Sequence, residues 1–181
     1  MLNALAIAAL GALALVAAAP ARAQEARPGP YGGISVSQFS YQQSGSASAS
    51  LTGIGGVLGT VVNPHFAIEV RAGLGLDDDQ ITVGASPANV ELGSYFSGLL
   101  KGILPLAPRF GIYGVAGGTI GKFAAESNGL YVNKWESDFT YGAGAEIGFA
   151  PNMSLGLEWL RMFEGSGYRL DAVSLAFSFR F

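Results

Sequence analysis

Phe139-Thr140-Tyr141-Gly142-Ala143-Gly144-Ala145-Glu146-Ile147-Gly148-Phe149 alternates from end to end. Phe139, Tyr141, Ala143, Ala145, Ile147 and Phe149 share one parity, and Thr140, Gly142, Gly144, Glu146 and Gly148 share the other. Successive side chains of a β-strand point to opposite faces, so this stretch has one bulky, uncharged face and one small face with an isolated charge. Phe66–Leu74 repeats the pattern, with Phe66, Ile68, Val70, Ala72 and Leu74 set against Ala67, Glu69, Arg71 and Gly73. The closing stretch sets Val173, Leu175, Phe177, Phe179 and Phe181 against Ala172, Ser174, Ala176, Ser178 and Arg180. A soluble barrel has the opposite economy, with bulky apolar residues inside and charges dense outside. A lipid-facing exterior accounts for both faces at once.

Working outward, three segments overlay: Asn63-Pro64-His65-Phe66-Ala67-Ile68, Ala107-Pro108-Arg109-Phe110-Gly111-Ile112 and Ala150-Pro151-Asn152-Met153-Ser154-Leu155. Each reads as a tight turn opening a strand, with Pro where no ladder donor is needed. The resulting frame is all-β: an eight-stranded antiparallel up-and-down barrel with strands at 31–41, 51–62, 66–74, 90–103, 110–123, 139–149, 153–163 and 170–181. Its long connections are 42–50, 75–89, 124–138 and 164–169. An even strand count puts both ends and all three Pro turns on one side, the arrangement of a transmembrane barrel with short periplasmic turns and longer outer loops. The parity of the first, second and fourth strands stays open, because both of their faces are mixed.

Composition agrees once the first segment is set apart. Of residues 1–23, 19 are apolar, and Ala4–Ala19 is a 16-residue apolar run interrupted only by Gly11 and ended by Pro20 and the small-x-small triplet Ala21-Arg22-Ala23. The run is short for a membrane helix and reads as an export signal cleaved after Ala23, although no Lys or Arg precedes it. The 158 residues after it are about 45% apolar, which is ordinary, but 26 of them are Gly, about twice the usual ~7%. An eight-stranded barrel has little room inside, and Gly111, Gly117, Gly142, Gly144, Gly148 and Gly156 fall on the expected interior face. The absence of cysteine excludes a disulfide scaffold and a Cys-based zinc site. A net charge of −3 without a basic stripe gives no footprint for nucleic acid.

The chain from about Tyr31 to Phe181 resembles the small eight-stranded outer-membrane β-barrels of Gram-negative bacteria, the OmpA/OmpX-like or "porin family" proteins. The resemblance is carried by residues 66–73 and 139–146, by Leu155-Gly156-Leu157-Glu158-Trp159 and by the closing 173–181. It implies localisation in the cell outer membrane and contact with outer-membrane lipid and lipopolysaccharide. It also implies assembly by the barrel-assembly machinery through a C-terminal signal at Phe177, Phe179 and Phe181. With Phe181 last, no peptidoglycan-binding domain is expected to follow, a departure from the full OmpA architecture. The aromatics suggest two interfacial girdles: Phe66, Phe110, Phe149, Phe179 and Phe181 at the turn end, and Phe39, Tyr41, Phe123, Phe139, Tyr141, Phe163 and Tyr168 at the loop end.

Candidate chemistry is sparse. Glu69, Arg71, Glu146, Glu158 and Arg180 are expected to point inward as a compensated charge network, since a charge in a narrow lumen needs a partner. His65, the single histidine, falls in a turn where the other two repeats carry Arg109 and Asn152, and reads as a solvated turn residue rather than a base. Asp77-Asp78-Asp79 reads as an acidic loop tip rather than a cation site. Arg161 is placed either to snorkel to a lipid phosphate or to open a loop. No cofactor, metal or catalytic residue is expected. The sequence points to a structural or surface-interaction protein acting through its outer loops, with a narrow porin-like channel for small solutes or ions as the alternative.

Overall fold

The computed structural model describes residues 28–43, 48–83, 86–127, 130–165 and 168–181, and the expected export signal at 1–23 lies outside them. Nine strands follow: β1 (Gly29–Gln43), β2 (Ser48–Asn63), β3 (Phe66–Gly75), β4 (Asp78–Val83), β5 (Ser86–Ala107), β6 (Phe110–Ser127), β7 (Leu130–Ala150), β8 (Met153–Gly165) and β9 (Tyr168–Arg180). Every pairing is antiparallel; β1 lies between β2 and β9, and β3 pairs with β5 to close the ring. The barrel has eight strand positions, because β3 and β4 follow one another along β5. β3 pairs with it from Phe66↔Gly102 to Leu74↔Ser94, and β4 from Asp78↔Glu91 to Val83↔Ser86.

The expected loops at 75–89 and 124–138 are therefore hairpins rather than irregular connections. β4 and the start of β5 continue the ladder, and β6 with β7 continues it to Ser127↔Leu130. The alternation of the membrane band does not carry on through these extensions, yet their backbone donors still need partners. The extended strands β4, β5, β6 and β7 form a crest on one side of the hairpin end.

Parity follows the expected faces where they were readable. Phe66, Ile68, Val70, Leu74, Phe139, Tyr141, Val173, Leu175 and Phe177 point outward and exposed, while Ala67, Glu69, Thr140, Ala172 and Ser174 are buried. It also settles the mixed strands: Ile34, Val36, Ile54, Leu58, Phe96 and Leu100 face out, whereas Tyr31, Phe39, Leu51, Tyr95, Leu99 and Lys101 face in.

Five of the seven residues of the expected loop-end girdle are instead inside. Phe39 and Phe163 are 1% and 0% exposed, and Tyr41, Phe123 and Tyr168 pack on the same cluster. Phe39 shares parity with inward Ser37, and a bulge between Arg161 and Phe163 turns Phe163 and Met162 both inward. Phe139, Tyr141, Trp159 and Trp135 remain outward at this end.

Candidate functional site

The lumen is layered from the hairpin end to the turn end. The first layer is an apolar plug of Phe39, Leu51, Leu92, Met162, Phe163 and Leu170, with the Phe123 ring edge-on to Phe163 at 5.1 Å. Beneath it lie hydroxyl pairs: Ser37 with Ser174 at 2.8 Å, and Thr119 bridging Ser97 at 2.7 Å and Thr140 at 2.6 Å.

The third layer is ionic. Residues i and i+2 share a strand face, so Glu69 and Arg71 project side by side from β3, and Arg71 Nε donates to Glu69 Oε2 at 2.8 Å. The other side of the guanidinium reaches across the lumen to Glu158 on β8, with Nη1 to Oε1 at 2.5 Å and Nη2 to Oε2 at 2.9 Å, a bidentate fork. Lys101 on β5 donates to Glu146 Oε2 at 2.9 Å, lies 3.4 Å from Glu69 Oε1 and sits over the Tyr113 ring at 4.0 Å. Tyr31 donates its hydroxyl to Glu69 Oε1 at 2.5 Å. The enclosed void among these residues is about 40 Å³, room for about one water.

Glycine makes this packing possible. Tyr31 lies opposite Gly59 and Gly59 opposite Glu69, so the tyrosine reaches the carboxylate across a bare backbone. A Cβ on Gly59 would fall 2.5 Å from Tyr31 Cζ. Tyr95 lies over Gly73, and Tyr113 over Gly144, with the same 2.5 Å approach.

Four of the five charges expected inside, Glu69, Arg71, Glu146 and Glu158, are thus brought together. Arg180 also points inward but lines a cavity at the turn end, and no carboxylate among the described residues lies within ion-pair distance of it. The residue that joins the two halves of the network, Lys101, was missed. Its signal was available: it is the one charge between Gly93 and Leu106, and a lone charge in a lipid-bounded strand belongs inside.

Elsewhere, His65 is exposed, with Nδ1 3.3 Å from the Ile103 carbonyl. Asp77 Oδ1 accepts the Thr52 amide at 2.6 Å. Arg161 is ion-paired: Asp171 holds its Nε at 2.9 Å, and the guanidinium lies 5.5 Å from the Trp159 ring. No group of three or more His, Asp or Glu suited to a metal occurs among the described residues. At the C-terminus Phe177 and Phe181 face outward, and Phe179 stacks edge-on to Phe181 at 5.6 Å.

No curated protein matches the chain. Among solved structures it is similar to Ail, the attachment invasion locus protein of Yersinia pestis, at 15% identity and a TM-score of 0.63, covering 84% of this chain and 99% of that one. Neisserial surface protein A matches at 11% identity and a TM-score of 0.60, covering 84% and 97%. OprG of Pseudomonas aeruginosa matches at 11% identity and 0.57, covering 88% and 100%. These likenesses show the fold. The family model described as outer membrane protein beta-barrel domain matches residues 7–181, so the chain belongs to that family of bacterial outer-membrane barrels.

Proposed function

We propose that this barrel is a non-enzymatic surface-interaction protein. It holds a hydrogen-bonded sheet crest above the outer membrane, and its lumen serves as a filled support. The observation that carries this reading is the stacked filling of the lumen, an apolar plug above a paired ionic layer, beneath a crest whose outermost strand β4 pairs on one side with β5. In this family's orientation the short turns face the periplasm and the crest faces outward. The edge of β4 away from β5 offers backbone groups to a partner without any need for a pore. Ail, a neighbour in fold, is named for attachment and has been crystallised with the heparin analogue sucrose octasulfate, which supports a surface role for a barrel of this shape.

The test has two arms. In planar bilayers the refolded barrel should give small or no single-channel steps, and large stable openings would overturn the filled-lumen reading. Cells expressing the barrel should adhere to protein- or heparin-coated surfaces more than controls. That gain should vanish when residues 78–91 are replaced by a short Gly-Ser turn that leaves Leu74↔Ser94 pairing intact. Equal adherence of intact and trimmed barrels counts against the crest. We further propose that residues 1–23 are a cleaved export signal and that Phe177, Phe179 and Phe181 are read by the barrel-assembly machinery. Deleting Phe181 should reduce the heat-modifiable folded form in outer-membrane fractions while total expression persists.

A further inference from the structure

Below the ionic layer the lumen widens into a cavity of about 690 Å³ that opens at the turn end. Two arginines border it from separate parts of the chain: Arg109 in the turn between β5 and β6, and Arg180 at the end of β9. The Nε atoms of both are buried and have no hydrogen-bond partner. No carboxylate among the described residues comes within 4 Å of either guanidinium. The acid that shares the cavity, Glu146, is already held by Lys101 at 2.9 Å. The inner ion pairs are thus complete, while the two arginine Nε donors beside them are not, although Arg180 still feels the Glu146 charge. A buried donor without an acceptor is costly, and a guanidinium more so, which makes this pair a feature in need of a complement.

We propose that the periplasmic mouth of the barrel binds a phosphate-type oxyanion between Arg109 and Arg180. A guanidinium offers its donors as a planar fork that matches phosphate oxygens two at a time, and two forks suit a group with three free oxygens better than a single carboxylate. Asn152 and Ser178 line the same cavity and add neutral donors, while the Ser154 hydroxyl is already given to Glu146. Val61, Ile103, Leu106 and Met153 supply apolar wall for whatever the phosphate is attached to, and the cavity exceeds what a bare ion fills. The phosphate could belong to a soluble periplasmic molecule or to the headgroup of an inner-leaflet lipid. The chemistry of recognition is the same. The site is at the opposite end from the crest and does not depend on the surface role.

The test follows the arginine Nε–Hε cross-peaks of the full barrel, labelled with ¹⁵N-arginine and refolded in a maltoside detergent that carries no phosphate. One arm adds inorganic phosphate at constant ionic strength, and the other adds short-chain phosphatidylglycerol. The Arg109 and Arg180 peaks should shift together and saturably in at least one arm, with the Arg71 peak unmoved. Saturation with phosphate assigns a soluble ligand, and saturation with the lipid alone assigns a headgroup. Arg109→Gln lies in a turn and leaves every ion pair of the inner layer in place. It should weaken the Arg180 response roughly tenfold, the scale of one lost charged hydrogen-bond contact. Shifts no larger than those from chloride in both arms, or a saturable Arg180 shift unchanged by Arg109→Gln, would overturn the proposal.

Discussion

Arg71→Ala is expected to cost about 3–5 kcal/mol of barrel stability, the range for removing one partner of a buried ion pair. The reason is an imbalance between the two acids that Arg71 serves. Glu69, 2% exposed, would still be bonded by Tyr31 at 2.5 Å and faced by Lys101 at 3.4 Å. Glu158, 4% exposed, has Arg71 as its one ion-pair partner among the described residues, and it would be left as an uncompensated carboxylate in the lumen. Most of the loss therefore belongs to Glu158. Two further variants separate pairing from packing. Adding Glu158→Gln to Arg71→Ala should recover a large part of the loss, because the orphaned charge is gone. Glu69→Gln alone should cost less than Arg71→Ala, because Arg71 keeps its fork to Glu158 and Lys101 keeps Glu146. Urea unfolding in lipid vesicles, followed by tryptophan fluorescence, measures all three. If Arg71→Ala lies within about 1 kcal/mol of the parent, the ionic layer is not a compensated network but a hydrated one.

The extent to which this interior could be read in advance depended on how one-sided each strand is. In β3, β7 and β9 one face is nearly free of charge and the other nearly free of bulk, so Glu69, Arg71, Glu146 and Arg180 could be placed inside from parity alone. In β5 the sequence Leu99-Leu100-Lys101-Gly102-Ile103-Leu104 is apolar on both faces, because Leu99 and Ile103 fill the lumen while Leu100 and Leu104 face lipid. Alternation alone does not place Lys101, and only its standing as the one charge between Gly93 and Leu106 does. Phe163 was misplaced for a different reason: parity counts residues, and the extra residue of a bulge reverses the count. Ion pairs between strands as far apart as β3 and β8 depend on barrel closure, and local pattern carries no record of who sits across the lumen. The two unpartnered arginine Nε atoms are invisible for the same reason, since a missing acceptor is a property of the assembled mouth.

Gly117→Val is expected to abolish the folded, heat-modifiable barrel, whereas Gly98→Val, on the facing strand, should leave it intact. A Cβ at Gly117 would stand 2.0 Å from the Gly98 carbonyl oxygen and 2.9 Å from Leu99 Cα. Both are backbone atoms, so relief requires β5 and β6 to part, not merely a side chain to rotate. A single excess methyl in a packed core costs about 1–3 kcal/mol, and a branched side chain against backbone exceeds that range. Gly142, whose Cβ would lie 2.2 Å from the Trp159 oxygen, should behave like Gly117. Gly98 has nothing within 4 Å of a Cβ and shares the outward parity of Phe96 and Leu100, so an added apolar side chain there meets lipid. Folded fractions on unboiled gels distinguish the two positions directly. Equal loss at both would mean that the glycines serve strand flexibility during assembly. Loss confined to Gly117 and Gly142 means that these glycines are required by the close approach of the neighbouring strand's backbone. Three tyrosines and the ion pairs fit inside eight strands because the neighbouring backbone leaves them room.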